Sequence, residues 1–292
     1  MPYDLSPLRS HLGQAAAGIV EMPISGVRLF WTTQSTPPAP LVYEAGIVLL
    51  LQGRKEGSIG EHHFVYDTDN YLTLTLPMPF LCAHHASPDA PLCGLFITAL
   101  RDDLSQLLGR ITASENVQAK TGHSALAPAP VCNGMRLAVG RLVATINDPV
   151  AAAVLGPALR REILFHVLRG PRGPALAAYA LQSGDDGRLD RLIETICRDF
   201  SAVVSVQAMA GEAGMSLSAF HRAFRTRTGQ SPLQYVKRLR LHAARDMILF
   251  EGTRVGDAAR RVGYESTSQF SREYRRHFGE PATATRTFAV RA

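Results

Sequence analysis

The chain has no run of Val, Ile and Leu longer than Ile47 to Leu51, far short of the roughly 20 residues that a membrane-crossing helix needs. Its first residues, Met1 to Ile19, lack a charged start followed by an apolar stretch, so no secretory leader is expected. Cysteine is sparse: Cys82, Cys93, Cys132 and Cys197 show no CxxC or metal-type spacing and read as free thiols of a reducing, cytoplasmic compartment. Cys82 and Cys93 lie near each other in sequence and raise the idea of a redox switch, although buried inert cysteines are commoner. Also missing are a Ser/His/Asp nucleophile arrangement, a glycine-rich phosphate loop and a zinc-hydrolase motif. His62-His63 and His84-His85 invite a metal reading. Adjacent strand residues point to opposite faces, however, so each doublet offers at most one inward imidazole, and no H-x-H with a following Glu is present. The expectation is a protein that is not an enzyme, with no cofactor, no metal and no membrane span.

At 292 residues two domains are expected, and charge divides them. From Arg188 onward there are 18 Lys+Arg against 10 Asp+Glu, a net of +8. The residues before it hold 13 against 15, a net of −2. A solubility charge would be spread evenly; a basic excess confined to the last third points to a polyanion partner.

That third contains a repeat. A-G-E-A-G-M-S-L-S-A-F-H-R-A-F (Ala210 to Phe224) and A-R-R-V-G-Y-E-S-T-S-Q-F-S-R-E-Y (Ala259 to Tyr274) each read as a helix-turn-helix. Val206, Ala210 and Gly214 map onto Val255, Ala259 and Gly263 at an offset of 49, and Phe220, Arg222, Phe224, Arg225 and Gly229 onto Phe270, Arg272, Tyr274, Arg275 and Gly279 at 50. The extra residue falls in the second turn, where a loop tolerates insertion. At 100° per residue, Leu217, Phe220, Ala223 and Phe224 share the inward side of the first reading helix, while Ser218, His221, Arg222 and Arg225 share the other. In the second, Phe270 and Tyr274 face inward and Ser268, Ser271, Arg272 and Arg275 outward, with Thr267 at the helix start. Arg222 and Arg272 are the base-reading candidates, since a guanidinium can bond guanine O6 and N7 together. Arg225 and Arg275 lie later, where phosphate contact is expected. A structural salt bridge is the competing role for Arg222 and Arg272. The span from Pro232 to Leu249 reads as one long helix, with proline in its first turn, joining the two units.

Residues from about 26 to 100 read as strands: Val27 to Trp31, Val42 to Leu51, Phe64 to Tyr66, Tyr71 to Leu76 and Leu92 to Leu100. Turn signals stand between them, including Pro37-Pro38 and Pro77 to Pro79. This spacing indicates a compact barrel or sandwich, a form that often holds one small ligand. Phe30, Tyr43, Phe64, Tyr66 and Tyr71 are the inward aromatics expected to line it, with plain core as the alternative. From about 102 to 182 the pattern turns helical. Leu155, Leu159, Ile163, His166 and Val167 form an apolar stripe that either packs on the barrel or pairs with a second copy, through Leu159 and Ile163. Ser183 to Gly187 is polar and glycine-containing and marks a boundary. The division is thus 1–183 for sensing and dimerisation, 184–188 as linker, and 189–292 for DNA.

The last third resembles the DNA-binding domain of the AraC/XylS family of bacterial transcription regulators. The resemblance runs from Leu189 to about Arg286 through G-M-S-L-S-A-F-H-R-A-F-R with T-G-Q-S-P, then R-L-R-L-H-A-A-R, then V-G-Y-E-S-T-S-Q-F-S-R-E-Y-R-R-H-F-G. It implies that Ser218, His221, Arg222, Ser268, Ser271 and Arg272 face the major groove. The stretches V-Y-E-A-G-I-V-L-L-L-Q-G-R-K, Y-L-T-L-T-L-P-M-P and A-S-P-D-A-P-L-C-G-L resemble the AraC-type N-terminal domain, implying a cupin-like barrel that senses an effector and dimerises. The fold expected is therefore α+β: a barrel followed by helices, then an all-α domain with two helix-turn-helix units. The partners expected are double-stranded DNA, a small-molecule effector and a second copy, with RNA polymerase where the outcome is activation. Two other readings stay open: control by a protein partner, and a metal-dependent cupin enzyme fused to a DNA-binding domain.

Overall fold

A computed structural model describes residues 3–12, 16–59, 62–111, 124–181, 184–201 and 205–285. After a short helix α1 (Arg9–Leu12) come nine strands: β1 (Ala17–Glu21), β2 (Val27–Thr32), β3 (Thr36–Tyr43), β4 (Gly46–Gln52), β5 (Arg54–Ile59), β6 (His62–Tyr66), β7 (Asn70–Leu74), β8 (Met78–His85) and β9 (Leu92–Thr98). Helix α2 (Arg101–Ile111) precedes strand β10 (Leu126–Pro130), and then α3 (Asn133–Thr145), α4 (Pro149–Arg169) and α5 (Gly173–Leu181) follow. The strands form two antiparallel sheets, β1-β2-β9-β4-β7-β10 and β3-β8-β5-β6. They face each other as an open cupin-like barrel.

The larger sheet is covered on both sides, which is why Ile47 to Leu51 reads as an unbroken aliphatic run rather than an alternation. Its outer face, including Leu29, Trp31, Leu49, Tyr71, Cys93 and Leu95, packs under helices α2 to α5. Its inner face, with Phe30, Val48, Leu50, Leu72 and Phe96, meets the smaller sheet's Tyr66, Phe80 and Cys82. Tyr71 is thus not a lumen residue: strand alternation sends Leu72 inward and Tyr71 out to the helices, which removes it from the effector-lining set. Cys82 and Cys93 fall in separate cores, and burial pushes the Cys93 thiol up to about 12 and Cys82 upward too, so the two are not a redox couple.

Proline misleads in two places. Pro37 and Pro38 lie inside β3, an edge strand with a register shift between Thr36 and Ala39, where a missing N–H is tolerated. Pro79 likewise stands at the start of β8, opposite Val42.

Helix α4 is capped by Asp148, whose side chain accepts from the Val150 and Ala151 amides, with Pro149 in its first turn. Its Leu159 and Ile163 are 7% and 0% exposed, sealed inside the protomer's own core, so they are not available to a second copy. The exposed apolar residues of this region are instead Val150, Val154 and Leu155 of α4 and Leu137 of the neighbouring α3.

The last third is helical: α6 (Gly184–Arg198), α7 (Val206–Glu212), α8 (Leu217–Thr228), α9 (Pro232–Phe250), α10 (Val255–Arg261) and α11 (Thr267–Phe278). The stretch expected as a linker, 184–188, is the first turn of α6. The lumen core continues into Leu189, Leu192 and Ile193 of α6, Phe220 and Phe224 of α8, and Tyr235, Val236 and Leu239 of α9. A separate third core gathers Leu241, Ala244 and Ile248 of α9 with Ala258, Val262, Phe270 and Tyr274. Polar contacts fasten the first unit to the barrel. Gln230 donates to the Pro79 carbonyl at 3.0 Å, the Tyr235 hydroxyl donates to Pro77, the Ala125 amide donates to the Arg227 carbonyl at 2.9 Å, and Arg101 pairs with Glu194.

Candidate nucleic-acid interface

Two copies of one local design build this surface. Helix α7 ends in a turn at Gly214 (φ 66°) and α10 at Gly263 (φ 85°), left-handed positions that glycine occupies without steric penalty. Ser216 caps α8 by accepting from the Ala219 amide, and Ser266 caps α11 by accepting from Gln269. Gly229 (φ 70°) and Gly279 (φ 78°) close the two helices. Gly214 precedes its cap by two positions and Gly263 by three, which places the extra residue of the second copy in the turn.

Phe220 with Phe224, and Phe270 with Tyr274, are fully buried and hold each reading helix against its partner helices. Ser218, His221, Arg222 and Arg225 of α8 are exposed, as are Thr267, Ser268, Ser271, Arg272 and Arg275 of α11. The side chains of Arg222, Arg225, Arg272 and Arg275 make no ion pair or hydrogen bond with any described residue. The competing salt-bridge role for Arg222 and Arg272 has no support in this geometry. Leu217 departs from expectation: at the first position of α8 it is 43% exposed.

Other arginines of the region are architectural, and sequence periodicity does not separate them from the free ones. Arg227, on the buried side of α8, forms a bidentate pair with Asp190 of α6, Nε to Oδ1 at 2.8 Å and Nη2 to Oδ2 at 2.6 Å. Arg240 of α9 donates to the carbonyls of Phe200 (2.7 Å) and Gly263 (3.2 Å), tying the end of α6 to the second turn. Glu273 of α11 receives Lys237 at 2.7 Å and the Tyr264 hydroxyl at 2.8 Å, bracing the second reading helix on α9 and on its own turn. Glu273 and Arg240 carried no signal in the sequence beyond lying on helices. Among the described residues no three His, Cys, Asp or Glu side chains converge as a metal site.

A paired helix-turn-helix with exposed, unengaged arginines, attached to a cupin-like sensor fold, defines a DNA-binding transcription regulator. Residues 23–175 match the AraC-type transcriptional regulator N-terminus and 209–287 a helix-turn-helix domain, and the chain belongs to the AraC-type transcriptional regulators. It is 33% identical over 144 residues to the HTH-type transcriptional activator RhaS of Escherichia fergusonii, which is 48% of this chain and 50% of that one. The RhaS of Klebsiella pneumoniae is 33% identical over 119 residues, 40% of this chain and 42% of that protein. The chain thus spans half or less of the length of these relatives. Among solved structures, unsaturated fatty acid-bound ToxT from Vibrio cholerae aligns with a TM-score of 0.60 at 9% identity, covering 88% of this chain and 92% of that one. ToxT bound to (E)-4-(8-methylnaphthalen-1-yl)but-3-enoic acid gives 0.57 at 10% identity, over 88% and 97%. At such identity the likeness is one of fold.

Proposed function

We propose that the chain is an effector-controlled, sequence-specific transcription activator that reads DNA through Arg222 and Arg272. The observation that carries the reading is the matched pair of exposed arginines on α8 and α11, unengaged within the protein. Each reading helix occupies one of two successive major grooves, about 34 Å apart, with α9 as the spacer. Ser218, His221, Ser268 and Ser271 flank the base-reading positions, Thr267 adds a hydroxyl at the helix start, and Arg225 and Arg275 hold phosphates. Selection on randomised DNA tests it. Arg222→Ala and Arg272→Ala should each weaken specific binding by roughly 1–3 kcal/mol and relax preference at different base positions. Recovery of an unchanged motif with both variants would remove the assignment.

The effector binds between the two sheets, near Phe30, Tyr43, Phe64 and Tyr66. RNA polymerase is the partner through which activation is read out. Adding low-molecular-mass bacterial extracts to the DNA-binding assay tests the sensing half. A change in operator affinity supports it, and no change across extracts from varied growth conditions sinks it. The chain acts as a homodimer in the cytoplasm, joined by the face carrying Leu137, Val150, Val154 and Leu155.

A further inference from the structure

Lys55 of β5 is 2% exposed, more deeply buried than any other lysine among the described residues. Its Nζ has one hydrogen-bond partner, the Tyr43 hydroxyl at 2.8 Å, and lies 4.2 Å from the centre of the Phe30 ring. No carboxylate among the described residues pairs with it. An ammonium carries three donors, and buried charges are ordinarily matched by an opposite charge. Ring faces supply part of that compensation, but no counter-charge.

The neighbouring strand adds a second unmet group. His84 of β8 is the register partner of Lys55, so the two side chains stand on the same face of the sheet. Its Nε2 is buried and has no hydrogen-bond partner. Burial, with the Lys55 charge, holds this imidazole down at about 4, so it is neutral near pH 7 and has one N–H to donate. Tyr43, Phe64, Phe80 and Phe96 form a linked aromatic wall, with ring centres 5.6 Å (Tyr43–Phe80), 6.1 Å (Tyr43–Phe96) and 5.7 Å (Phe64–Phe80) apart. Tyr43 and Phe64 are only part-buried and form the rim. Arg54, one residue before Lys55, points to the opposite face and is engaged by Glu56, and Arg28, whose guanidinium lies 4.5 Å over the Phe96 ring, is paired with Glu44 at 3.1 Å, so Lys55 is the cation of this face that no described carboxylate matches.

We propose that the barrel interior binds an amphipathic monocarboxylate, its carboxylate accepting from Lys55 Nζ and His84 Nε2 and its apolar body lying along Phe64, Phe80 and Phe96. One interior cation left unmatched by a carboxylate calls for one negative charge; a phosphate would bring nearly two. The proposal rests on the effector reading above and names the chemistry of that effector.

Calorimetry on the full chain tests it, with 3-phenylpropanoate and octanoate as probes and their primary amides as neutral isosteres. The acids should bind wild type at least about tenfold tighter than the amides, because a charge-assisted bond replaces a neutral one. Lys55→Met, which keeps the stem volume, should bind acid and amide alike. Without ligand it should melt no lower than wild type, since it removes an unmatched buried charge. Equal binding of acid and amide by wild type overturns the carboxylate while leaving a barrel effector standing. Binding of neither probe at about 5 mM, or a Lys55→Met protein that melts several degrees lower, makes Lys55 a structural strut and overturns the proposal. The extract assay then decides the effector reading separately.

Discussion

Replacing Asp190 with Asn should be among the most damaging single changes in the DNA-binding third, although it alters one atom type and no volume. Asp190 and Arg227 have side chains 2% and 3% exposed, and their pair is bidentate with both bonds at or below 2.8 Å. Asparagine can accept at one oxygen only and turns an N–H group toward a guanidinium that has no acceptor to offer. Breaking a buried pair from one side costs about 3–5 kcal/mol, because the partner charge stays buried and loses its bidentate carboxylate. The upper part of that range applies here. Arg172, itself buried, feels the charge of Arg227, so loss of Asp190 leaves two neighbouring cations with less compensation. Against a typical domain stability of about 5–15 kcal/mol, the loss is a third or more. Urea denaturation followed by circular dichroism measures it as a fall in midpoint at unchanged slope. The double variant Asp190→Leu/Arg227→Met should recover more than half of the loss, since it removes both charges together. A single Asn variant that loses less than about 1 kcal/mol, or a double no better than the single, would refute the reasoning.

Arg275→Ala should weaken binding to every DNA sequence alike and lower the salt slope by about one, read from affinities across a range of salt concentrations. Val154→Asp and Leu155→Asp should each give a folded monomer in sedimentation, because both positions are more than half exposed in the protomer and carry no core contact to lose. Dimers that persist in both would place the interface elsewhere. His242 and His277 meet at 3.3 Å, and burial, with neighbouring positive charge, depresses them to about 3 and about 4. Their unfolded values are higher, so their stabilising contribution is complete above about pH 6.5 and is lost as pH falls toward 4. With allowance for the coupling of the pair and the partial exposure of His277, that is on the order of 2 kcal/mol between pH 7 and 5. His277→Gln should flatten that part of the stability–pH curve, and an unchanged slope would show that the pair does not set it.

The repeat was legible because it is written twice. Glycine, serine cap, two buried aromatics and two outward arginines recur at nearly fixed spacing, and each recurrence checks the other. The covered strand β4 was legible from its unbroken aliphatic run, and β9 from a stretch of apolar residues broken only by Gly94. Strand β5 was not, because its inward residues are Lys55, Gly57 and Ile59, a set no hydrophobic pattern reveals. Gly57 is there because a Cβ would lie 2.2 Å from the Phe64 ring. Strands β3 and β8 were hidden by prolines that edge and terminal positions allow. Tyr71 was misassigned because the face an aromatic takes depends on register, which one strand alone does not fix. The stripe of α4 was seen correctly, but periodicity shows only that a face is apolar and not whether the protomer itself covers it. Leu159 and Ile163 are covered; Val154 and Leu155 are not.

Helix α9 has a consequence for cooperativity. Tyr235, Val236 and Leu239 belong to the core shared with the barrel, while Leu241, Ala244 and Ile248 belong to the core of the second reading unit. The change of polarity in the chain falls near residue 188, but the change of allegiance falls some fifty residues later, inside one continuous helix. The first reading helix should therefore share the amide protection of the barrel, and the second should open on its own. Hydrogen exchange would divide the molecule there, within α9 and between its two DNA readers, not between sensor and reader.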